Sequence, residues 1–344
     1  MIRFILARMA WAVVMLVVIT MMCYSLFFLV PATPGTTGRG TDRESINLRE
    51  SVEIDGPIYK QYGLFLWRVG HGSFGESWVS EREVNSVLVN VLPVTLSVVA
   101  GGAIMWLLIA IPVGILSALR PRSLLDRLAT VFVLIGVAAH PVWLGLGLSY
   151  LLGYKARLFP IGGGYCDFTN TNYYCSGFTQ WAWHLVLPWF TFAALYAALY
   201  ARMIRASVIE TMNEDYVRTA RAKGAGGFQV LRGHVLRNAM LPVVTMLGMD
   251  LGYWIGNILF IETVFSLNGV GRLLTQSLAR RDLPVLMAIT VIVSLLIVML
   301  NLIIDLVYGI LDPRVRAGGD KAERRALKSG RARTALGSSA EQPA

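Results

Sequence analysis

Six stretches of this chain, 9–30, 92–119, 128–152, 181–200, 241–260 and 283–311, are strongly apolar and contain no lysine or arginine. Each matches or exceeds the ~20 residues a helix needs to cross about 30 Å of hydrocarbon. Lipid cannot satisfy an open backbone group, so such stretches predict helices that close every peptide hydrogen bond internally. The expectation is an all-α polytopic membrane protein with six transmembrane helices. Gly101, Gly102, Pro112, Gly145, Gly147, Gly248 and Gly252 lie inside these stretches. Small residues of this kind let membrane helices approach closely, and plain packing accounts for each of them.

Composition agrees with the pattern. The 344 residues are 55% hydrophobic and only 15% charged, with a mean hydropathy of +0.58, well above an ordinary globular domain. The location of the charge sets the orientation. All 31 Lys and Arg residues fall outside the six stretches. The N-terminal segment, the 120–127 connection, the 201–240 connection and the segment after 311 together hold 20 of those 31. Alternating helices put these four segments on one side, which the positive-inside rule makes cytoplasmic. Both termini are therefore expected in the cytoplasm. The net charge of +10 reflects this topology and gives no reason to expect nucleic acid as a partner. The first apolar stretch is longer than the core of a secretory signal, and Val30 to Thr33 is a poor cleavage site, so it reads as a retained helix.

The remaining segments divide the chain into 1–30, an extracytoplasmic loop at 31–91, a core at 92–311 and a tail at 312–344. The loop mixes charge with aromatics (Tyr59, Tyr62, Phe65, Trp67) and is expected to fold onto the membrane surface. A second outer connection contains Cys166 and Cys175, which an oxidising exterior would allow to pair. Cys23, within the first stretch, reads as a small apolar filler. The tail is rich in small and charged residues and is expected to be disordered or to rest on anionic lipid.

The sequence carries no motif for catalysis. A phosphate-binding G-x-x-x-x-G-K-[ST] loop is absent, and His71, His140, His184 and His234 show no metal-ligand spacing. No catalytic, cofactor or metal residue is expected. His140 precedes Pro141 in the third stretch, as either a path-lining group or a packing histidine at a kink. An acid within the membrane is a functional candidate by default, because placing it there is costly. Asp305 lies four residues after Asn301, near the cytoplasmic end, where a structural contact explains it. Asp250, mid-stretch, is the better candidate for a translocation path.

The most distinctive polar segment runs from 214 to 244. Asn213 can cap a helix, Glu214 and Asp215 follow where the dipole favours acids, Arg221 and Lys223 fall in the last turn, and Gly224 supplies a left-handed stop. A helix of about ten residues is expected, then a turn at Gly226 and Gly227, then a second helical stretch through Phe228, Leu231, Val235 and Leu236. Such a segment is either a knob for a groove in a partner or a solvated connector.

This segment resembles the cytoplasmic signature loop of bacterial ABC-importer permeases. Arg218, Thr219 and Ala220 take the E-A-A positions, Gly224 the glycine, and 234–237 the I-x-L-P positions, with Ala220, Gly224 and Leu236 matching. Residues 215–224 and 234–245 are closer to the dipeptide and oligopeptide branch. That resemblance continues in order through 55–62, 72–77, 112–119, 262–274, 280–285 and 301–316. Two outer segments depart from it: Pro31 to Gly35, where the branch has P-G-D-P, and the loop bearing Cys166 and Cys175.

The resemblance implies the type I ABC-importer permease fold in a bacterial cytoplasmic membrane, without enzymatic activity of its own. It implies Asp215, Tyr216, Arg218, Thr219, Ala220, Arg221 and Gly224 as the surface that docks an ATPase. The implied partners are two cytoplasmic ATP-binding subunits, a second homologous permease, an extracytoplasmic substrate-binding protein and membrane lipid. The implied cargo is a di- or oligopeptide. Nickel chelates or glutathione are alternatives within the branch, and a proton-coupled secondary carrier is the alternative outside it.

Overall fold

The computed structural model describes residues 2–29, 58–161, 177–280 and 282–311. Cys166, Cys175 and the 312–344 tail lie outside these residues. The described secondary structure is helical, apart from an isolated bridge between Glu76 and Glu83. The helices are α1 (Ile2–Leu29), α2 (Ile58–Gly70), α3 (Val84–Leu119), α4 (Leu124–Ala138), α5 (Pro141–Leu148), α6 (Gly177–Met212) and α7 (Asp215–Ala222). They continue as α8 (Gly227–Val230), α9 (Leu236–Ala239), α10 (Leu241–Val264), α11 (Val270–Arg280) and α12 (Leu283–Leu311). The described residues of the six apolar stretches are helical, except at 139–140 in the third.

Among the described residues, three helices are long and apolar enough to cross a membrane by themselves: α3, α6 and the Leu283–Ile304 part of α12. The third stretch differs from expectation. It is broken into α4 and α5, with a 112° bend between Asp126–Gly136 and Pro141–Lys155. Pro141 has no N–H to donate and drives the preceding residue out of the helical region. His140 accordingly adopts φ −78° and ψ 141°. Its ring then restarts the helix, with Nδ1 accepting from the Val142 N–H at 3.3 Å. A π-helical turn, Ser149–Lys155, extends α5.

The most extensive packing joins α3 and α6, whose facing residues include Val98, Trp106, Ala110, Phe192, Ala197 and Ile204, all buried. Close approach depends on small residues. A Cβ on Gly114 would come within 2.8 Å of the Ala201 carbonyl oxygen, and one on Gly101 or Gly102 would overlap the Trp189 or Phe192 ring. Gly147, grouped with these by sequence, faces open space. The Trp189 indole also donates to the Ser97 carbonyl at 2.8 Å, fixing the two helices in register.

The described part of the 31–91 loop folds back on α1. The Tyr62 hydroxyl donates to the Val17 carbonyl at 2.9 Å and lies 2.9 Å from the Thr20 hydroxyl. Tyr62 also packs near Tyr24 and Phe65.

Candidate docking site and its supports

α6 is 36 residues long, roughly 54 Å at 1.5 Å per residue, against about 30 Å of hydrocarbon. A helix of this length extends past the bilayer core, and α7 follows its C-terminus directly. α7 is shorter than expected, at eight residues. Glu214, rather than Asn213, occupies the N-cap, with extended backbone and no side-chain cap bond. The Asn213 amide instead donates back to the Ile209 carbonyl at 3.0 Å, closing the end of α6.

The C-terminus of α7 follows the sequence reading. Gly224 has φ +85°, and the Ala225 N–H donates to the Ala220 carbonyl at 3.2 Å. This is the left-handed stop that satisfies the last carbonyls of a helix. No atom lies within 4 Å of a Cβ built on Gly224, so backbone conformation selects glycine here.

Val217 is the one fully buried residue of α7 and anchors it to the body. Ala220 packs beside the same core. The Tyr216 hydroxyl accepts from the Asn238 amide of α9 at 2.7 Å, bracing the helix from the side. Thr219 donates to the Asp215 carbonyl within its own turn, at 2.9 Å. The charges project away. Asp215 and Arg218 are 98% and 70% exposed and 3.7 Å apart, a pairing of small energetic value in water. Arg221, Lys223, Arg232 and Arg237 have no side-chain partner among the described residues.

Beside α7 runs an open, largely apolar groove of about 310 Å³, bounded by Leu119, Met212, Arg221, Phe228, Leu231 and Val235. Phe228, in the second helical stretch as the sequence reading placed it, is 75% exposed at the groove's edge. Val230, Val235 and Ala239 provide the buried side of that segment. A π-helical turn at Leu231–Val235 separates α8 from α9.

One support at this end went unread in the sequence. Asp126, 6% exposed, accepts from Arg205 Nε at 2.7 Å and Nη2 at 3.0 Å. It also accepts from the Ser117 hydroxyl and from the Arg122 N–H at 2.8 Å. One carboxylate thus ties the end of α3, the start of α4 and the late turns of α6. Arg122 has φ +64°, a strained position that this bond holds in place. The Arg205 guanidinium, then the Ser117 hydroxyl and the Arg122 N–H, hold the Asp126 carboxyl well below the usual carboxylate range. Its legible signal was the Ser123-x-x-Asp126 pattern, since Ser123 caps α4 by accepting from the Asp126 N–H.

The far end of α10 is built differently. Glu262, 0% exposed, accepts from Thr95 Oγ1 at 2.6 Å and from the Gly271 and Arg272 N–H groups at 2.8 and 3.1 Å. It thereby satisfies the first turn of α11, where the helix dipole favours an anion. Asp282, 4% exposed, accepts from the Ser77 hydroxyl and from the Trp78 N–H at 3.2 Å. Among the described residues the deeply buried acids are thus Asp126, Glu262 and Asp282. Asp250 is half-buried and accepts from the Tyr200 hydroxyl at 2.7 Å. The Asp305 side chain lies outside the described residues. His140 caps the start of α5 with its ring 5.2 Å from that of Phe260, and no bond joins it to Asp250. Among the described residues no group of three potential metal ligands converges.

A bundle of apolar helices that presents a short, stopped, charged helix at one end defines a class: a multi-pass membrane transport subunit. Residues 110–317 match the family described as binding-protein-dependent transport system inner membrane component, and residues 1–99 match the N-terminal part of such components. The chain belongs to this family. It is 33% identical over 337 residues to the dipeptide transport system permease protein DppB of Escherichia coli (strain K12), covering 92% of this chain and 99% of that one. It is 35% identical over 316 residues to the oligopeptide transport system permease protein AppB of Bacillus subtilis (strain 168), covering 91% and 98%. A probable peptide ABC transporter permease of Sinorhizobium fredii (strain NBRC 101917 / NGR234) is 32% identical over 316 residues, covering 91% and 99%. The fold is also that of a chain in the inward-facing MetNI methionine ABC transporter. That match has a TM-score of 0.51 at 18% identity and covers 66% of this chain and 96% of that one.

Proposed function

We propose that this chain is the membrane-spanning subunit of an ATP-driven importer of di- or oligopeptides. It crosses a bacterial cytoplasmic membrane six times with both termini inside. Paired with a second, similar permease, it encloses a path that opens alternately to each side. Two separate ATP-binding subunits supply the work, and an external binding protein delivers the peptide.

The observation that carries this reading is α7. Its stop at Gly224 is left-handed, its anchor is the single buried Val217, and its charges have almost no use within the chain. The apolar groove beside it, edged by the exposed Phe228, offers contact area that rim charges alone do not supply. Peptide cargo is supported by the names of the three relatives. Motion of a docked ATPase would reach the bundle through α6, which Asp126 and Arg205 join to α3 and α4. The test is reconstitution with both ATP-binding subunits, the second permease and the binding protein in proteoliposomes. Peptide-loaded binding protein should raise ATP hydrolysis and drive peptide into the lumen. Hydrolysis indifferent to loaded binding protein would refute the assignment.

A further inference from the structure

Two tyrosines one turn apart on α6 face two polar residues on α10. The Tyr196 hydroxyl accepts from the Asn257 amide at 2.8 Å. The Tyr200 hydroxyl donates to Asp250 at 2.7 Å. The two contacts join the same helices at successive levels, and both sit against the ring of Trp106, with Trp254 between them on α10. They amount to an internal control. At the 196–257 level a neutral amide is enough to bond the tyrosine across the helix interface. At the 200–250 level the chain uses a carboxylate, although an amide oxygen would accept the same hydroxyl.

The charge at 250 therefore needs another explanation than packing. A carboxylate offers about four acceptor positions, and Asp250 fills one of them from within the chain. No Lys, Arg or His of the described residues forms a salt bridge to it. The indole N–H groups of Trp106 and Trp254, buried in the same cluster, have no acceptor and so do not reach it either. Asp250 is only half-buried, so part of it is open at the surface of α10. Midway along a membrane helix, a carboxylate in that state is costly unless a cation meets it.

We infer that Asp250, positioned by Tyr200, is a binding subsite in the translocation path for the primary ammonium group of the cargo. This rests on the importer reading and deepens it. A peptide with a free amino terminus carries that group at neutral pH, and it would exchange water for the carboxylate as it passes the midplane. The contact needs to be weak, since a tight one would hold the cargo in the path.

The assembled complex in lipid nanodiscs allows a direct test by saturation-transfer NMR with two probes, alanyl-alanine amide, which carries an ammonium, and N-acetyl-alanine amide, which does not. Asp250→Asn keeps an acceptor for Tyr200 and removes the charge. It is expected to weaken binding of the ammonium probe about tenfold or more and to leave the acetylated probe unchanged. Asp250→Glu is expected to restore binding. Asp250→Ser serves as the charge-free variant if Asp250→Asn fails to assemble. Wild-type affinity for the ammonium probe in the charge-free variant, or equal loss for both probes, would overturn the subsite. Import by the wild-type complex is scored separately, so that failure of the importer reading shows as absent ATP-driven uptake rather than as a change in probe binding.

Discussion

The two ends of α10 treat charge in opposite ways. At its C-terminal end, which leads into α11, buried acids are satisfied inside the chain. Glu262 takes three donors and Asp282 two, and the polypeptide there is closed on itself. At the other end, α7 leaves Asp215, Arg218 and Arg221 in solvent, with one weak ion pair among them. A network satisfied within the chain gives a rigid frame. Charges left without partners on a rigid, stopped helix suit a surface that meets another protein. The clamp at Asp126 shows that the second arrangement is not general to its end of the molecule, because the Asp126 carboxylate there accepts four hydrogen bonds, two of them from Arg205 of α6.

The largest effect is expected at the stop of α7. Valine at position 224 would have to hold φ near +85°, which costs a β-branched residue roughly 1–2 kcal/mol or more. Gly224→Val should reduce uptake to background while the amount of protein in the membrane stays at the wild-type level, as scored by transport assay and immunoblot. Full uptake in that variant would separate the stop from coupling. Next is the satisfied end. Glu262→Ala strands the Gly271 and Arg272 N–H groups and should destabilise the permease by about 2–4 kcal/mol, measured as a lower Tm in nanodiscs. Glu262→Gln, which retains an acceptor, should recover part of that loss.

The clamp should show a smaller change. Arg205 is about one-third exposed, so Arg205→Ala is expected to cost about 1–3 kcal/mol, read from the same melts. Its acid dependence has a definite sign. A carboxyl whose folded pKa is depressed stabilises the protein fully above its unfolded value of about 4, and that contribution disappears as pH falls through the lower folded value. The Tm difference between wild type and Asp126→Asn should therefore be constant from about pH 5 to 7 and narrow below about 4. The smallest effect is expected from the exposed charges of α7. Arg218→Ala should leave uptake within about twofold of wild type, because exposed pairs contribute little individually. A loss as large as that of Gly224→Val would shift the weight of docking from the helix stop to charge.

Hydropathy and turn chemistry carried much of this architecture in the sequence. Each apolar stretch became helical, and Gly224 announced the end of α7, because both depend on neighbours in the chain. The break at His140 was marked by Pro141, although sequence alone did not show that the two halves would bend by 112°. The long-range contacts were illegible for a plain reason. Asp126 and Arg205 are 79 residues apart, Thr95 and Glu262 are 167 apart, and Ser77 and Asp282 are 205 apart. No local period encodes such pairs. Asn213 failed as a cap because its amide was used to close α6, leaving Glu214 to begin α7. Phe228 fits a helical apolar pattern yet is exposed beside the groove, and spacing alone does not tell a packed aromatic from an exposed one.

Hydrogen exchange across 213–239, compared between the permease pair alone and the complete complex with its ATP-binding subunits, tests the docking claim most directly. The amides of α7 and the exposed side of α8 should be protected in the complete complex and exchange faster when the ATP-binding subunits are removed. Equal, rapid exchange of α7 in both preparations, with and without ATP, would contradict the account.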